Sequence, residues 1–530
     1  MPVDSPTVAE ILRHQARSRA DHPLLVCDGD RISYAEADRR SAELARGLIA
    51  HGSGKGTHVG LLYPNGTEFV VAMLAAARIG AVVIPFSTFV TAREMREQLI
   101  DSDAEILLAA SSFRSHDYAQ RLAEILPDLD SGDRLFAAAA PLLRQVGISY
   151  PADAVQGTRG IQRFYQLADT VDPALLAAMA DDVDGSDPLA IVYTSGSTGA
   201  PKGVVHTHAA LLGHQRNLNE IRGLSTADRL FCNSPFFWIG GFAFGLLATL
   251  VAGSTLVCSN ATSNASGAAR TLDLLEAEKP TMTNGFVAGV AHLAVHPSFA
   301  GRDLSSMRRG NLYPIMPPGA RPPDPELRHN MLGMTEAGSV VLISGDESDQ
   351  PEERRGSFGK PAPGFDTMIA EPDASGVGEL SIRGPYVMQR YYKRSREECF
   401  DADGWFHTGD LVRVDADGFF YFVGRLGATI KTAGANVSAA EVEKAIAKVT
   451  GGTVAYVVGI PDAGRGQLVA AAVAVPEGRT FDEAALRERL REELSAYKIP
   501  KRFIALPHPE IPLLSSGKVD LQQVRKLFDA

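Results

Sequence analysis

Ten consecutive residues, Thr194-Ser195-Gly196-Ser197-Thr198-Gly199-Ala200-Pro201-Lys202-Gly203, carry three glycines, four hydroxyls and one lysine. Glycine lets successive backbone N–H groups turn toward one point, and Ser and Thr add donors of little bulk. Lys202 adds a mobile positive charge, so the composition suits a cradle for a polyphosphate. The Walker loop needs Gly-Lys-Ser/Thr in succession. Here Lys202 follows Pro201 and precedes Gly203, so that motif is absent. A plain Ser/Gly linker is the competing reading. Against it, the loop directly follows the apolar run Leu189-Ala190-Ile191-Val192-Tyr193, which reads as a buried strand.

The elements that must hold this loop follow from periodicity. Apolar residues recur at helical spacing over 7–20 and 35–51, the second with Ala42, Leu44, Ala45, Leu48 and Ile49 on one face. Segments 59–63, 81–85 and 105–110 read as buried strands, with a helix over 68–78 between the first two. Strands alternating with helices imply an α/β fold of mostly parallel sheets flanked by helices. The stretch 303–328 is rich in Arg, Pro and Gly and reads as irregular. Beyond Tyr421-Phe422-Val423-Gly424-Arg425 the pattern changes. A helix near 439–449, strands at 455–459 and 469–475 and a helix over 482–495 suit a small α+β domain. The expected organisation is a large multi-subdomain body over 1–424, a hinge at 425–428 and a small mobile lid over 429–530.

A chain of 530 residues exceeds one hydrophobic core. A net charge of −11 argues against a nucleic-acid partner. Cys27, Cys232, Cys258 and Cys399 are scattered, with no C-x-x-C pair, and read as reduced thiols. The first residues lack the basic and apolar stretches of a signal peptide, and no apolar run reaches the roughly 20 residues of a membrane span. A cytoplasmic protein without transmembrane segment is the expectation.

The phosphate loop, Gly333-Met334-Thr335-Glu336, Thr408-Gly409-Asp410, the stretch 424–443 and Ser516-Gly517-Lys518 occur in one order along the chain. Together they resemble the adenylate-forming superfamily of acyl-CoA synthetases, luciferases and peptide-synthetase adenylation domains, over almost the full length. Arg31-Ile32-Ser33-Tyr34-Ala35-Glu36 and Tyr63-Pro64-Asn65-Gly66-Thr67-Glu68-Phe69 are similar to the family's N-terminal body. The resemblance is strongest to acyl-CoA synthetases of the fatty-acid–CoA ligase kind. It implies that ATP and a carboxylic acid form an acyl-adenylate with release of pyrophosphate, after which the acyl group passes to coenzyme A. Two anions must meet at the α-phosphate, so positive charge and aligned donors are required.

The resemblance assigns roles residue by residue. Lys518, after a glycine that permits a tight turn, would bridge the carboxylate and the ATP oxygens. Thr194, Ser195, Gly196, Ser197, Thr198, Gly199 and Lys202 would cradle the phosphates. Thr335 would donate to the α-phosphate, and Glu336 would hold Mg²⁺, a cation that prefers oxygen ligands. Thr335 and its neighbours also fit a helix N-cap box. Asp410 would accept from both ribose hydroxyls, unless it is a turn aspartate, and Arg425 would contact ribose or phosphate. Gly434 would let a pantetheine arm pass, or is a plain turn glycine.

Several positions depart from the family pattern. Leu332 stands where an adenine-stacking aromatic is common, and leucine would cover a purine by dispersion alone. Gly427 stands at the hinge, where Asp or Lys is usual, and its broad φ/ψ freedom still suits a pivot. Trp238 occupies a common histidine position. Phe237, Trp238, Gly241 and Gly285 are the candidate acyl-pocket residues. The aspartate of amino-acid-activating relatives is missing, which points to a hydrophobic acid: fatty, branched or aromatic. Ordinary core packing is the competing reading for each aromatic. Between Glu336 and Asp410 no clear insertion of the carrier-protein-loading kind occurs, which favours CoA as acceptor. An acyl carrier protein is the alternative, as is a nucleotide- or acyl-binding protein that has lost catalysis. The resemblance leaves room for a homodimer.

Overall fold

The computed structural model describes residues 6–126, 129, 134–151, 159–194, 201–426, 429–475, 481–507, 510–512 and 519–529. The chain divides into two compact units. One comprises 1–88, 99–193 and 203–424, and the other 89–98, 194–202 and 425–530.

Two large sheets dominate the first unit. In the seven-stranded sheet the order is Arg390–Tyr391, Lys202–Thr207, Pro188–Thr194, Val82–Pro85, His58–Leu62, Ile106–Ala110 and Gln145–Ser149. Strands 58–62, 82–85, 106–110 and 145–149 pair in parallel, whereas Arg390–Tyr391 runs antiparallel at the edge. The six-stranded sheet runs Arg309–Gly310, Met282–Asn284, Arg229–Cys232, Thr255–Cys258, Pro23–Cys27 and Asp30–Ser33. All its pairings are parallel except the last. The inner strands are apolar runs because parallel strands are covered on both faces. The expected helices are present as Val8–Ser18, Tyr34–Ala50 and Thr67–Ala77. Thr7 starts the first with a capping box, its hydroxyl accepting from the Glu10 N–H while Glu10 accepts from the Thr7 N–H. Among the described residues, no helix is long and apolar enough to cross a membrane.

Antiparallel structure that the periodicity does not announce fills the rest of this unit. Asp366–Ala370, Gly378–Arg383, Phe406–Val414 and Phe420–Arg425 form a four-stranded sheet, and Leu332–Met334, Ser339–Ile343 and Lys360–Pro361 a three-stranded one. Both pack into one core around Leu332, Val341, Leu342, Leu380, Ile382 and Phe406. Residues 303–328 are irregular, with short 3₁₀ turns such as Tyr313–Ile315 and Pro325–Leu327.

The second unit has its own sheet, in which Gly466–Val475 pairs antiparallel with Ala455–Asp462 and parallel with Arg502–Pro507. Helices Ala439–Thr450 and Glu483–Glu493 cover the face of Val457, Val469, Ala471 and Val473. Helix Leu521–Lys526 covers the opposite face at Val458, Ala470 and Ala472. A period of two sends alternate residues to opposite faces, so both faces of one sheet can carry a core. Lys498, 6% exposed, lies between Glu94 Oε1 at 2.7 Å and Glu441 Oε1 at 2.8 Å. Burial pulls its pKa down, but Tyr497, Glu94 and Glu441 outweigh that and hold it above the usual lysine value.

Candidate active site

The Thr335–Glu336 turn is fixed from three directions. The strand Leu332–Met334 leads into a 3₁₀ turn, Thr335–Ala337, and Gly338 (φ 66°) reverses the chain into Ser339–Ile343. His206, on Lys202–Thr207, is fully buried and approaches the Thr335 carbonyl through Nε2 at 2.7 Å. Burial lowers its pKa to about 4, so the ring is neutral at pH 7 and donates that hydrogen bond. Gln215 Nε2, on the helix His208–Arg222, donates to the Gly338 carbonyl at 3.2 Å and to Ser339 Oγ at 3.1 Å. Tyr391 Oη donates to Glu336 Oε1 at 2.8 Å, and the Met388 N–H donates to the Glu336 carbonyl at 2.8 Å.

This scaffolding leaves chemistry available. Thr335 is not an N-cap: Met334 holds that position, and the Thr335 hydroxyl makes no hydrogen bond with a described residue. Glu336 is half-buried and forms no ion pair with a described residue. An oxygen donor oriented by a neutral phenol fits Mg²⁺, which commonly takes one or two carboxylates together with substrate phosphates. No group of three or more His, Cys, Asp or Glu that could hold a metal by itself occurs among the described residues.

Thr408-Gly409-Asp410 lies within the strand Phe406–Val414. Thr408 Oγ1 donates to the Leu380 carbonyl at 2.7 Å and accepts from the Asp410 N–H at 3.0 Å. The Gly409 N–H donates to Glu379 Oε1 at 2.7 Å. Asp410 is 1% exposed.

The acyl-pocket candidates meet at the carboxyl ends of neighbouring parallel strands, where open α/β sheets place ligands. Cys232 pairs with Asn284 in register, and the chain leaves both strands here. Asn233 accepts from the Phe286 N–H at 2.9 Å and donates to the Phe286 carbonyl at 2.9 Å. Asn311 does the same for Gly285, at 3.1 and 2.8 Å. Asn65 donates to the Ser234 carbonyl at 3.0 Å and accepts from the Phe236 N–H at 2.8 Å. Three asparagines therefore extend the ladder where regular pairing stops. The Trp238 ring lies 5.6 Å from Phe286 and 5.3 Å from Phe237, edge to face in both cases. Gly285 is required by its backbone, with φ 148°, and a Cβ there would sit 1.8 Å from Asn233 Oδ1. Gly241 lies in the first turn of the π-helix Gly240–Leu247, and a Cβ would meet the Pro235 carbonyl at 2.1 Å.

Other expected site residues stand as follows. Thr194 ends the strand Pro188–Thr194 and Lys202 begins Lys202–Thr207, so neighbouring strands of one sheet flank, along the chain, the segment expected to cradle phosphate. Ser195, Gly196, Ser197, Thr198, Gly199, Gly427 and Lys518 lie outside the described residues. The backbone of Arg425 ends Phe420–Arg425. Gly434 (φ 85°) and Ala433 (φ 48°) form the two-residue turn of the hairpin Thr429–Thr432 and Ala435–Ser438. Positive φ at both positions is the geometry such a turn needs, which supplies the turn-glycine reading with its reason. Leu332 is corrected: it is 2% exposed and packs in the core with Val340 and Leu342, so it offers no face to a base. Sequence reasoning missed Tyr391, His206, Gln215, Asn233 and Asn311, none of which sits in a local motif that marks it.

Known proteins match this chain over most of its length. The model of the AMP-binding enzyme family matches residues 12–392, and that of the AMP-binding enzyme C-terminal domain matches 441–518. The chain is similar to a 3-[(3aS,4S,7aS)-7a-methyl-1,5-dioxo-octahydro-1H-inden-4-yl]propanoyl:CoA ligase of Mycobacterium tuberculosis, 32% identical over 99% of both chains. It is also similar to a feruloyl-CoA synthase of an Amycolatopsis species, 30% identical over 94% of both. The fold resembles that of the amide bond synthetase McbA of Marinactinospora thermotolerans, with a TM-score of 0.78 and 22% identity, covering 99% of this chain and all of the other.

Proposed function

Because the chain belongs to the AMP-binding enzyme family, we propose that it joins a predominantly apolar carboxylic acid to AMP and then passes the acyl group to coenzyme A. The observation that carries this reading is the Thr335–Glu336 turn. The Thr335 hydroxyl makes no hydrogen bond with a described residue, and the adjacent Glu336 carboxylate, oriented by Tyr391, forms no ion pair with a described residue, on a turn whose Thr335 carbonyl is bonded by buried His206. Such preorganisation costs no rearrangement as charge develops at a phosphate.

In this reading, residues 194–202 hold the triphosphate and Thr335 donates to the α-phosphate. Glu336 holds Mg²⁺, which when bound screens the phosphate charge that would repel an incoming carboxylate. Asp410 accepts from the ribose hydroxyls and Arg425 contacts ribose or phosphate. Lys518 bridges the two reacting anions, and Gly427 serves as the pivot between half-reactions. Gly434 borders the path of the pantetheine arm. Phe237, Trp238, Gly241 and Gly285 line the acid's pocket. CoA ligase relatives over the full chain length support the acceptor.

The test is pyrophosphate release from ATP by the purified protein across a panel of carboxylic acids, followed by loss of free CoA thiol. Acid-dependent release with matching thiol loss is expected. Release without thiol loss would turn the acceptor toward a carrier protein, and ATP binding with no release for any acid would favour a binding protein.

A further inference from the structure

Two residues before Phe286, Asn284 belongs to a buried polar cluster that the roles above leave unused. Arg222 closes the helix His208–Arg222 and is 8% exposed. Its guanidinium carbon lies 4.0 Å from the ring centre of Phe244. Nη2 donates to Asn219 Oδ1 at 2.9 Å and to the Phe244 carbonyl at 3.1 Å, while Nη1 donates to Asn284 Oδ1 at 2.8 Å. Nε is buried without an acceptor among the described residues. No carboxylate among the described residues pairs with this cation, and burial lowers its pKa to about 9. A buried charge without a counter-charge is costly and calls for a reason.

Asn284 supplies one. It ends the strand Met282–Asn284 and is 5% exposed. A guanidinium can only donate, so the amide must turn its oxygen toward Arg222 and its NH₂ away. That Nδ2 makes no hydrogen bond with any described residue. Gly285 and Phe286 follow directly, and Phe286 faces Trp238. Phe244, against which Arg222 stacks, lies in the π-helix opened by Gly240 and Gly241.

We propose that Asn284, oriented by Arg222, determines specificity by donating from Nδ2 to a carbonyl-type oxygen that the acid carries away from its reacting carboxylate. The preferred substrates are then apolar acids bearing a distal ketone or second carboxylate, not plain hydrocarbon acids. This rests on the acid-activating reading of the pocket. Arg222 adds attraction for the acceptor through its uncompensated charge. A hydrocarbon at this point would leave a buried donor unpaired, and sites built to hydrogen-bond a substrate reject the analogue that lacks the partner.

The experiment measures kcat/KM by pyrophosphate release with ATP and CoA, for aliphatic acids of six to ten carbons and for arylpropanoic acids. Each hydrocarbon acid is paired with its distal keto analogue and its dicarboxylate. The wild type should favour the oxygenated member by at least about tenfold, and whether ketone or dicarboxylate leads identifies the acceptor. Asn284→Asp keeps an oxygen on Arg222 but removes the donor, and it should bring the ratio to about one or below. Asn284→Leu should do the same. A wild-type ratio near one in both series overturns the proposal without recourse to any variant, as does a preference that survives Asn284→Asp. Turnover without discrimination sinks this inference alone, whereas no release with any acid sinks the ligase reading with it.

Discussion

Tyr391 Oη sits 2.8 Å from Glu336 Oε1, so a phenol from an edge strand fixes the carboxylate assigned to the metal. That strand, Arg390–Tyr391, pairs with Lys202–Thr207, which also carries His206 beneath the Thr335 carbonyl. One strand pairing therefore sets both the backbone and the side chain of the Thr335–Glu336 turn.

Tyr391→Phe removes the donor and keeps the ring. Hydrogen bonds to charged groups contribute about 1.5–3 kcal/mol, so the Mg²⁺ concentration for half-maximal pyrophosphate release should rise about tenfold or more. The KM for the acid should change little. An unaltered Mg²⁺ midpoint would remove Tyr391 from this positioning role.

Lys518→Ala separates the half-reactions. Acyl-adenylate formation should nearly vanish, while acyl-adenylate supplied from outside still reacts with CoA. Equal loss in both assays would contradict the bridging role.

Lys498→Met leaves the largely buried side chains of Glu94 and Glu441 without their shared cation. Breaking a buried pair from one side typically costs about 3–5 kcal/mol, read as a lower denaturation midpoint. Replacing both carboxylates by Gln in the Lys498→Met background should recover part of the loss. A midpoint equal to that of the wild type would show that the cluster contributes nothing.

Acid should destabilise the first unit through three histidines. Burial lowers His206, His208 and His214 to about 4, against 6.5 for the ordinary side chain. His208 Nδ1 accepts from the Val8 N–H, and His214 Nε2 bonds the Val340 carbonyl, so the neutral rings are built in. Between those values the unfolded chain binds more protons than the folded one. Stability present above pH 6.5 is therefore lost as pH falls toward 4, by up to about 1.4 kcal/mol per pH unit for each group. Urea midpoints recorded from pH 7.5 to 4.5 should decline through this window, and a flat profile would contradict the assignment.

The parallel sheets were legible because strands buried on both faces leave unbroken apolar runs such as Leu189–Val192 and 59–63. The antiparallel sheet over 366–425 was not, since Asp366–Ala370 is half-exposed and mixes Asp and Thr with apolar residues. Motif residues such as Glu336 and Asp410 could be picked out, but their supports could not. His206 reaches Thr335 across 129 positions of chain, and only the fold brings them together. Leu332 failed for a related reason: position in a motif does not reveal which face a strand residue occupies.

The most direct test of the central claim omits CoA. With ATP, Mg²⁺, a substrate acid and radiolabelled pyrophosphate, reversible adenylate formation should carry label into ATP only when the acid is present. Thioester formation without any such exchange, or cleavage of ATP to ADP and phosphate, would contradict activation through an acyl-adenylate.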